Sequence, residues 1–212
     1  MKLRNKDSMP VLGGFLGAVA LLAAAVLAMV SQLTAQPIKA AQERNRQQIF
    51  HRLGLPEFDR AGVGEESGEV MFFTVFKGNE TVGFVGQGSA AGYGGAIEVL
   101  TGFDLNGKIT GVQILRHRET PGLGANVCER KFQRTIFNLT VRAPEVPANK
   151  MLDQFTGKNA SESGNWQVAK DGGKFEYLTG ATVTSRAVTG AVDDIAAGFL
   201  VWRKKIEGEG RK

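Results

Sequence analysis

Four hydroxyls stand close together near the C-terminal end. They are Thr179, Thr182, Thr184 and Ser185, in the run that opens at Glu176 and reads EYLTGATVTS. An alcohol can accept a phosphoryl group, and this run leads into a segment with helical spacing. Val188, Ala191, Val192, Ile195, Phe199 and Trp202 recur at three- and four-residue intervals, the period of one helix face. Thr179, Thr182 or Thr184 could each cap that helix. A helix N-terminus presents unpaired N–H groups and partial positive charge, which favours a phosphate. Gly180 and Ala181 leave the approach free of bulk. A threonine hydroxyl here can therefore carry a phosphodiester at low electrostatic cost. The plainer reading is a loop and an ordinary N-cap, which many helices share. The rest of the chain decides between the two.

The elements that must hold this run begin at the other end. Residues 8–38 contain no charged side chain, and Val11 to Leu33 is almost wholly apolar. As a helix this run spans roughly 35 Å, enough for a bilayer core of about 30 Å. A cleaved signal peptide has a shorter apolar region, about 7–15 residues, and a small-residue cleavage site. The longer run here reads as an uncleaved, single-pass anchor in a membrane lipid environment. Lys2, Arg4 and Lys6 precede it against Asp7 alone, which keeps the N-terminus cytoplasmic and sends the rest across. No ionisable residue lies inside the anchor, so it supplies no ion pathway of its own.

The net charge is +5, but the excess sits in residues 1–7 and in the tail from Arg203 to Lys212. Between them acids and bases balance, which argues against a basic groove and a nucleic-acid partner. Cys128 is the one cysteine, so no internal disulfide forms. It reads as a small buried apolar residue rather than a nucleophile. No CxxC or HExxH pattern exists, and His51 and His117 alone make no metal site, so no metal is expected.

Lys39 to Leu53 reads as a connector helix ended by Gly54 and Pro56, with a Gly- and Glu-rich loop at 60–68. The period then changes. Residues 70–76 and 81–85 read as strands about a turn at 77–80. Residues 97–104 and 109–116 read as strands about Asn106-Gly107, a strong hairpin signal that favours antiparallel pairing. Glycine at 86, 88, 92, 94 and 95 admits two readings: bulges and tight turns, or a backbone approached by a flat ligand. Residues 119–124 (ETPGLG) form a compact turn. A helix is expected over 126–138, loops over 143–165, a short strand over 166–170 and the last helix over 183–206. The fold class is α+β: one transmembrane helix, then one extracytoplasmic domain of antiparallel strands with a C-terminal helix. The expected divisions are 1–38 (N-terminus and anchor), 39–68 (connector), 69–206 (main domain) and 207–212 (charged tail).

Three segments in this order, GYGGAI at 92–97, HRETPGLG at 117–124 and LTGATVTS at 178–185, lie behind the N-terminal anchor. Together they resemble the G subunit of the Rnf electron-transport complex, also called RsxG. The related C subunit of the sodium-pumping NADH:quinone reductase shares the same FMN-binding domain. The resemblance implies covalent FMN, joined through its phosphate to the last threonine of a Ser/Thr-Gly-Ala-Thr pattern, here Thr182. A flavin transferase would install it from FAD, with AMP leaving. The family usually has Asp where this chain has Glu176, which keeps the carboxylate and adds a methylene. Thr184 and Ser185 are the neighbouring acceptors, and Thr179, Gly180 and Ala181 complete the segment.

The turn offers backbone groups at Thr120, Gly122 and Gly124 for the edge of an isoalloxazine ring, and Leu123 could cover a ring face. Tyr93 could stack or simply pack, and Glu119 is a flavin-pocket candidate. The implied role is a single-pass subunit of the bacterial inner membrane with its main domain in the periplasm. It would relay electrons in a complex that exchanges them between ferredoxin and NAD and moves ions. Other membrane and peripheral subunits would be its partners, and no complete active site, hence no catalytic residue, is expected in this chain alone. The quinone-reductase C subunit and a cofactor-free module that binds envelope polymers are the alternatives.

Overall fold

The computed structural model describes residues 8–132, 144 and 146–209. The chain divides into two compact units, residues 1–45 and 46–212. One helix, α1, runs Ser8–His51, so the expected anchor and connector are continuous helix. Within it Leu12–Ala35 is long and apolar enough to cross a membrane, and its large apolar side chains are exposed.

The second unit is built on six antiparallel strands. They are β1 (Arg60–Ala61), β2 (Glu65–Ser67), β3 (Val70–Lys77), β4 (Glu80–Ala91), β5 (Ala96–Phe103) and β6 (Ile109–Arg116). The order is β1-β3-β4-β5-β6, with β2 also paired to β3. The segment at 60–68, expected as loop, therefore carries two short edge strands. The expected strand at 166–170 is not formed. Val168 and Phe175 make a single bridge, and Ala169–Asp171 closes into a 3-10 turn. Within the described part of the helix expected over 126–138, the helix formed is α2 (Gly124–Cys128). Glu129 is extended, and positions 133–138 lie outside the described residues. A further short helix, α3 (Lys150–Asp153), is capped by the Asn149 side chain, which accepts from Met151 N. The last helix, α4, runs Thr182–Glu209.

Side chains alternate across a strand, and both faces of this sheet are covered. Val70, Phe72, Phe84, Val99, Phe103 and Val112 face α4 through Val188, Val192, Ile195, Phe199 and Trp202. Phe73, Val75, Val85 and Leu100 point the other way, onto Phe50, Leu53 and Phe58. The first half of the glycine-rich stretch lies inside β4. A Cβ at Gly86 or Gly88 would collide with Ile195, so these glycines let α4 approach the sheet. Trp202 Nε1 donates to Glu65 Oε2 at 2.9 Å and ties the helix to β2.

Thr101 is fully buried in β5, and its hydroxyl has no hydrogen-bond partner among the described residues. An unpaired buried hydroxyl costs more than an apolar group of the same shape. Thr101→Val keeps the shape and β-branching. It should stabilise the domain by about 1 kcal/mol, read as a higher urea midpoint at unchanged slope.

Candidate functional site

Three loops and the start of α4 enclose a cleft of ≈ 600 Å³. Its walls carry Tyr93 from the β4–β5 loop, Glu119 to Gly124 from the turn after β6, Lys170, and the segment 180–184. Ligand pockets run about 300–1,000 Å³, so the volume suits a group of cofactor size. A larger cleft of ≈ 660 Å³, lined by Gln154, Lys158, Glu162, Lys174 and Glu176 among others, takes in neither Thr182 nor the 119–124 turn.

Of the three hydroxyls in the first turn of α4, two are spent on the fold. Thr184 is 1% exposed, and its Oγ1 donates to Glu119 Oε2 at 2.6 Å. Ser185 Oγ donates to Ala181 O at 3.0 Å and accepts from Leu178 N at 3.2 Å. Thr182 is partly buried on the cleft wall, and its hydroxyl has no partner among the described residues. Thr179 is exposed and does not line the cleft. Gly180 holds φ +86°, a left-handed conformation open to glycine, and so turns the chain into the helix.

The turn at 119–124 is held by its own hydrogen bonds. Leu123 N and Ala125 N both donate to Thr120 O, at 3.2 and 3.1 Å. Gly122 is not among the residues lining the cleft, and its carbonyl accepts from Asn126 Nδ2 at 2.7 Å. Leu123, 48% exposed, and Tyr93, 76% exposed, stand at the mouth. The second half of the glycine-rich stretch makes one of the expected tight turns, with Gly92 N donating to Gly95 O at 2.8 Å and Gly95 at φ +135°. A Cβ at Gly92 or at Gly124 would run into the Glu119 carboxylate, and one at Gly94 into Arg118 O. These glycines admit Glu119 and its neighbouring backbone.

Two wall residues are additions to the sequence reading. Val183 is 47% exposed and lies off the apolar stripe that begins at Val188, which is a signal the sequence offered. Lys170 gave no such signal, standing as the last residue of the strand expected over 166–170. It sits in the 3-10 turn that the Asp171–Arg186 pair fastens to α4, with Arg186 Nε donating to Asp171 Oδ2 at 2.6 Å. That guanidinium, through its hydrogen bond and then its charge, holds the exposed Asp171 carboxyl below the usual carboxylate range. Lys170 thus brings a cation to a cleft already open to the N-terminus of α4, a setting suited to a phosphate.

Upstream, Glu176 is exposed, and its backbone is clamped by one side chain. Glu176 N donates to Gln154 Oε1 at 2.6 Å, and Gln154 Nε2 donates back to Glu176 O at 3.3 Å. Cys128, the last residue of α2, is buried. Burial, then the charges of Glu119 and Glu129, push its thiol up to about 12. The folded chain keeps a proton that the unfolded chain gives up near pH 9, so this group's contribution to stability is complete below that pH. It is lost as the pH rises toward 12. Cys128→Ala should therefore lose less stability than wild type between pH 9 and pH 12, measured by urea unfolding at each pH.

Residues 92–197 match the FMN-binding domain family, and residues 1–53 match the RnfG N-terminal region. The G subunit of the ion-translocating oxidoreductase complex of Cereibacter sphaeroides is 30% identical over 203 residues, covering 89% of this chain and 84% of the relative. Its counterpart of the same name from Cronobacter sakazakii is 31% identical over 193 residues, covering 85% of each. That of Shewanella loihica is 31% identical over 202 residues, covering 87% and 86%. The phosphate-suited cleft lies within the matched FMN-binding domain, the membrane-length helix lies within the matched N-terminal region, and the chain belongs to the RnfG family.

Proposed function

We propose that this chain is a membrane-anchored electron-transfer subunit of an Rnf-type complex, carrying FMN esterified through its phosphate to Thr182. The observation that carries the reading is the free Thr182 hydroxyl on the wall of a cofactor-sized cleft, beside two hydroxyls already engaged. The residues present fit the group. Lys170 and the start of α4 would hold the phosphate, while Tyr93, Leu123 and Val183 offer surface for the ring. FMN when bound supplies the one- and two-electron chemistry. The protein's part is to anchor it, to limit water at the ring and to hold polar groups at fixed distances.

Lys2, Arg4 and Lys6 orient the N-terminus to the cytoplasm, which puts the domain on the outer face of the inner membrane. A covalent bond keeps the flavin from being lost there. A flavin transferase would supply it from FAD and would meet Glu176 as an exposed carboxylate on a backbone fixed by Gln154. The complex around it would pass electrons between ferredoxin and NAD and move ions across the membrane. The test is in-gel flavin fluorescence of the fully denatured chain, coexpressed with a flavin transferase, with and without Thr182→Ala.

A further inference from the structure

Three wall segments of the cleft meet on one side chain. Glu119 is 6% exposed, and each of its carboxylate oxygens is engaged. Oε1 accepts from Gly94 N at 2.9 Å, in the loop that carries Tyr93. Oε2 accepts from Thr184 Oγ1 at 2.6 Å, in the first turn of α4. Its own backbone N–H donates to His117 Nδ1 at 3.2 Å, while His117 Nε2 pairs with Glu129 at 3.4 Å. Glycines at 92 and 124 give the carboxylate its space. No cationic side chain pairs with it among the described residues. A carboxylate taken out of water is costly unless hydrogen-bonded, so these two bonds are hard to exchange for others.

The consequence follows from helix geometry. Each residue turns an α-helix by about 100°, so Thr182 and Thr184 point roughly 200° apart. The buried stripe from Val188 to Trp202 fixes α4 on the sheet, and pinning Thr184 on Glu119 fixes its first turn, and with it the direction of Thr182. We propose that Glu119 is a positioning residue of the flavin site. Its carboxylate locks the first turn of α4 so that the Thr182 hydroxyl faces the cleft, and it ties the Tyr93 loop and the 119–124 turn to that helix start. The inference deepens the covalent-FMN reading and rests on it for the labelling step.

The test uses the full chain in detergent, with Glu119→Ala, Thr184→Val and Thr184→Ser. The first readout is hydrogen exchange without flavin. In Glu119→Ala the Gly94 amide should exchange roughly tenfold faster or more, the size expected for a lost hydrogen bond to a buried charge, while amides of β3–β6 stay slow. The second is the rate of labelling by a flavin transferase with FAD. Glu119→Ala and Thr184→Val should label roughly tenfold more slowly, and Thr184→Ser, which keeps the donor, should recover most of the rate.

Peptide mapping should still find the label on Thr182, because Thr184 acts by position and not as acceptor. Unchanged Gly94 exchange together with wild-type labelling in Glu119→Ala and Thr184→Val overturns the proposal. If Glu119→Ala does not fold, the pair at 184 decides at matched Tm: a gap between Val and Ser supports the proposal, and no gap overturns it. If the wild type itself takes no label, the covalent reading has failed, and the Gly94 exchange result alone decides whether Glu119 braces the cleft.

Discussion

Thr182→Ala should abolish flavin fluorescence in the denatured band, while the wild-type band, made beside the same transferase, should glow. The loss should be complete rather than partial, because neither neighbouring hydroxyl can take over. Thr184 Oγ1 is buried and committed to Glu119, and Ser185 Oγ is committed to Ala181 O and Leu178 N. Freeing either one breaks a buried hydrogen bond, at about 1 kcal/mol or more, and still leaves the oxygen pointing into the domain. The variant should keep its fold, since Thr182 makes no hydrogen bond that alanine would remove. Its circular dichroism and Tm should match wild type within error. A mutant band that still glows would place the ester elsewhere and remove the basis of the proposed site. Two dark bands, with a known substrate of the same transferase labelled in parallel, would sink covalent attachment for this chain.

The parts of the molecule that were legible in the sequence are those set by local period. The β-branched and aromatic run at 70–76 and the alternation at 109–116 named strands that form, and the three- and four-residue stripe from Val188 to Trp202 named α4. Asn106-Gly107 announced its hairpin because that turn asks for residues that tolerate unusual backbone angles. The site was half legible for the same reason. The hydroxyl run and the 119–124 turn are contiguous, so their residue types speak for themselves. What contiguity cannot carry is long-range docking. Nothing local says that Gly86 and Gly88 are small because Ile195 packs on them, or that Gly92 and Gly124 are small because Glu119 arrives between them.

Lys170 is a second case of the same kind. It reaches the cleft only because Asp171 and Arg186 lock a 3-10 turn onto α4. The failed strand at 166–170 has a related cause. Asp193 accepts from Gly164 N and Trp166 N, at 2.7 and 3.1 Å, and Trp166 stacks near Phe155 and Phe175. The segment is therefore held by side chains from other elements, and it needs no strand partner to satisfy its start.

The domain's stability should depend most steeply on Phe199. It is fully buried and is the centre of an aromatic cluster, stacked on Phe103 at 4.3 Å and touching Phe84 and Phe72 at centroid distances of 5.5 and 6.2 Å. These rings come from β3, β4 and β5, so one side chain of α4 joins three strands. Truncation removes the ring's transfer free energy and leaves a cavity that rigid neighbours cannot fill. Phe199→Ala should cost about 3–5 kcal/mol, a large part of the roughly 5–15 kcal/mol that holds a domain folded. Val201, two residues on and 65% exposed, is the internal control, and Val201→Ala should change stability by no more than about 0.5 kcal/mol.

The measurement is urea unfolding followed by circular dichroism and by tryptophan fluorescence, to which Trp202 contributes from the same cluster, 5.1 Å from Phe72 between ring centroids. Equal losses in the two variants would mean that α4 is held by its helix alone and not by this cluster. A large loss at 199 alone ties the helix that presents Thr182 to the sheet beneath it. The acceptor then stands where it does because packing seventeen residues further along α4 holds the helix down.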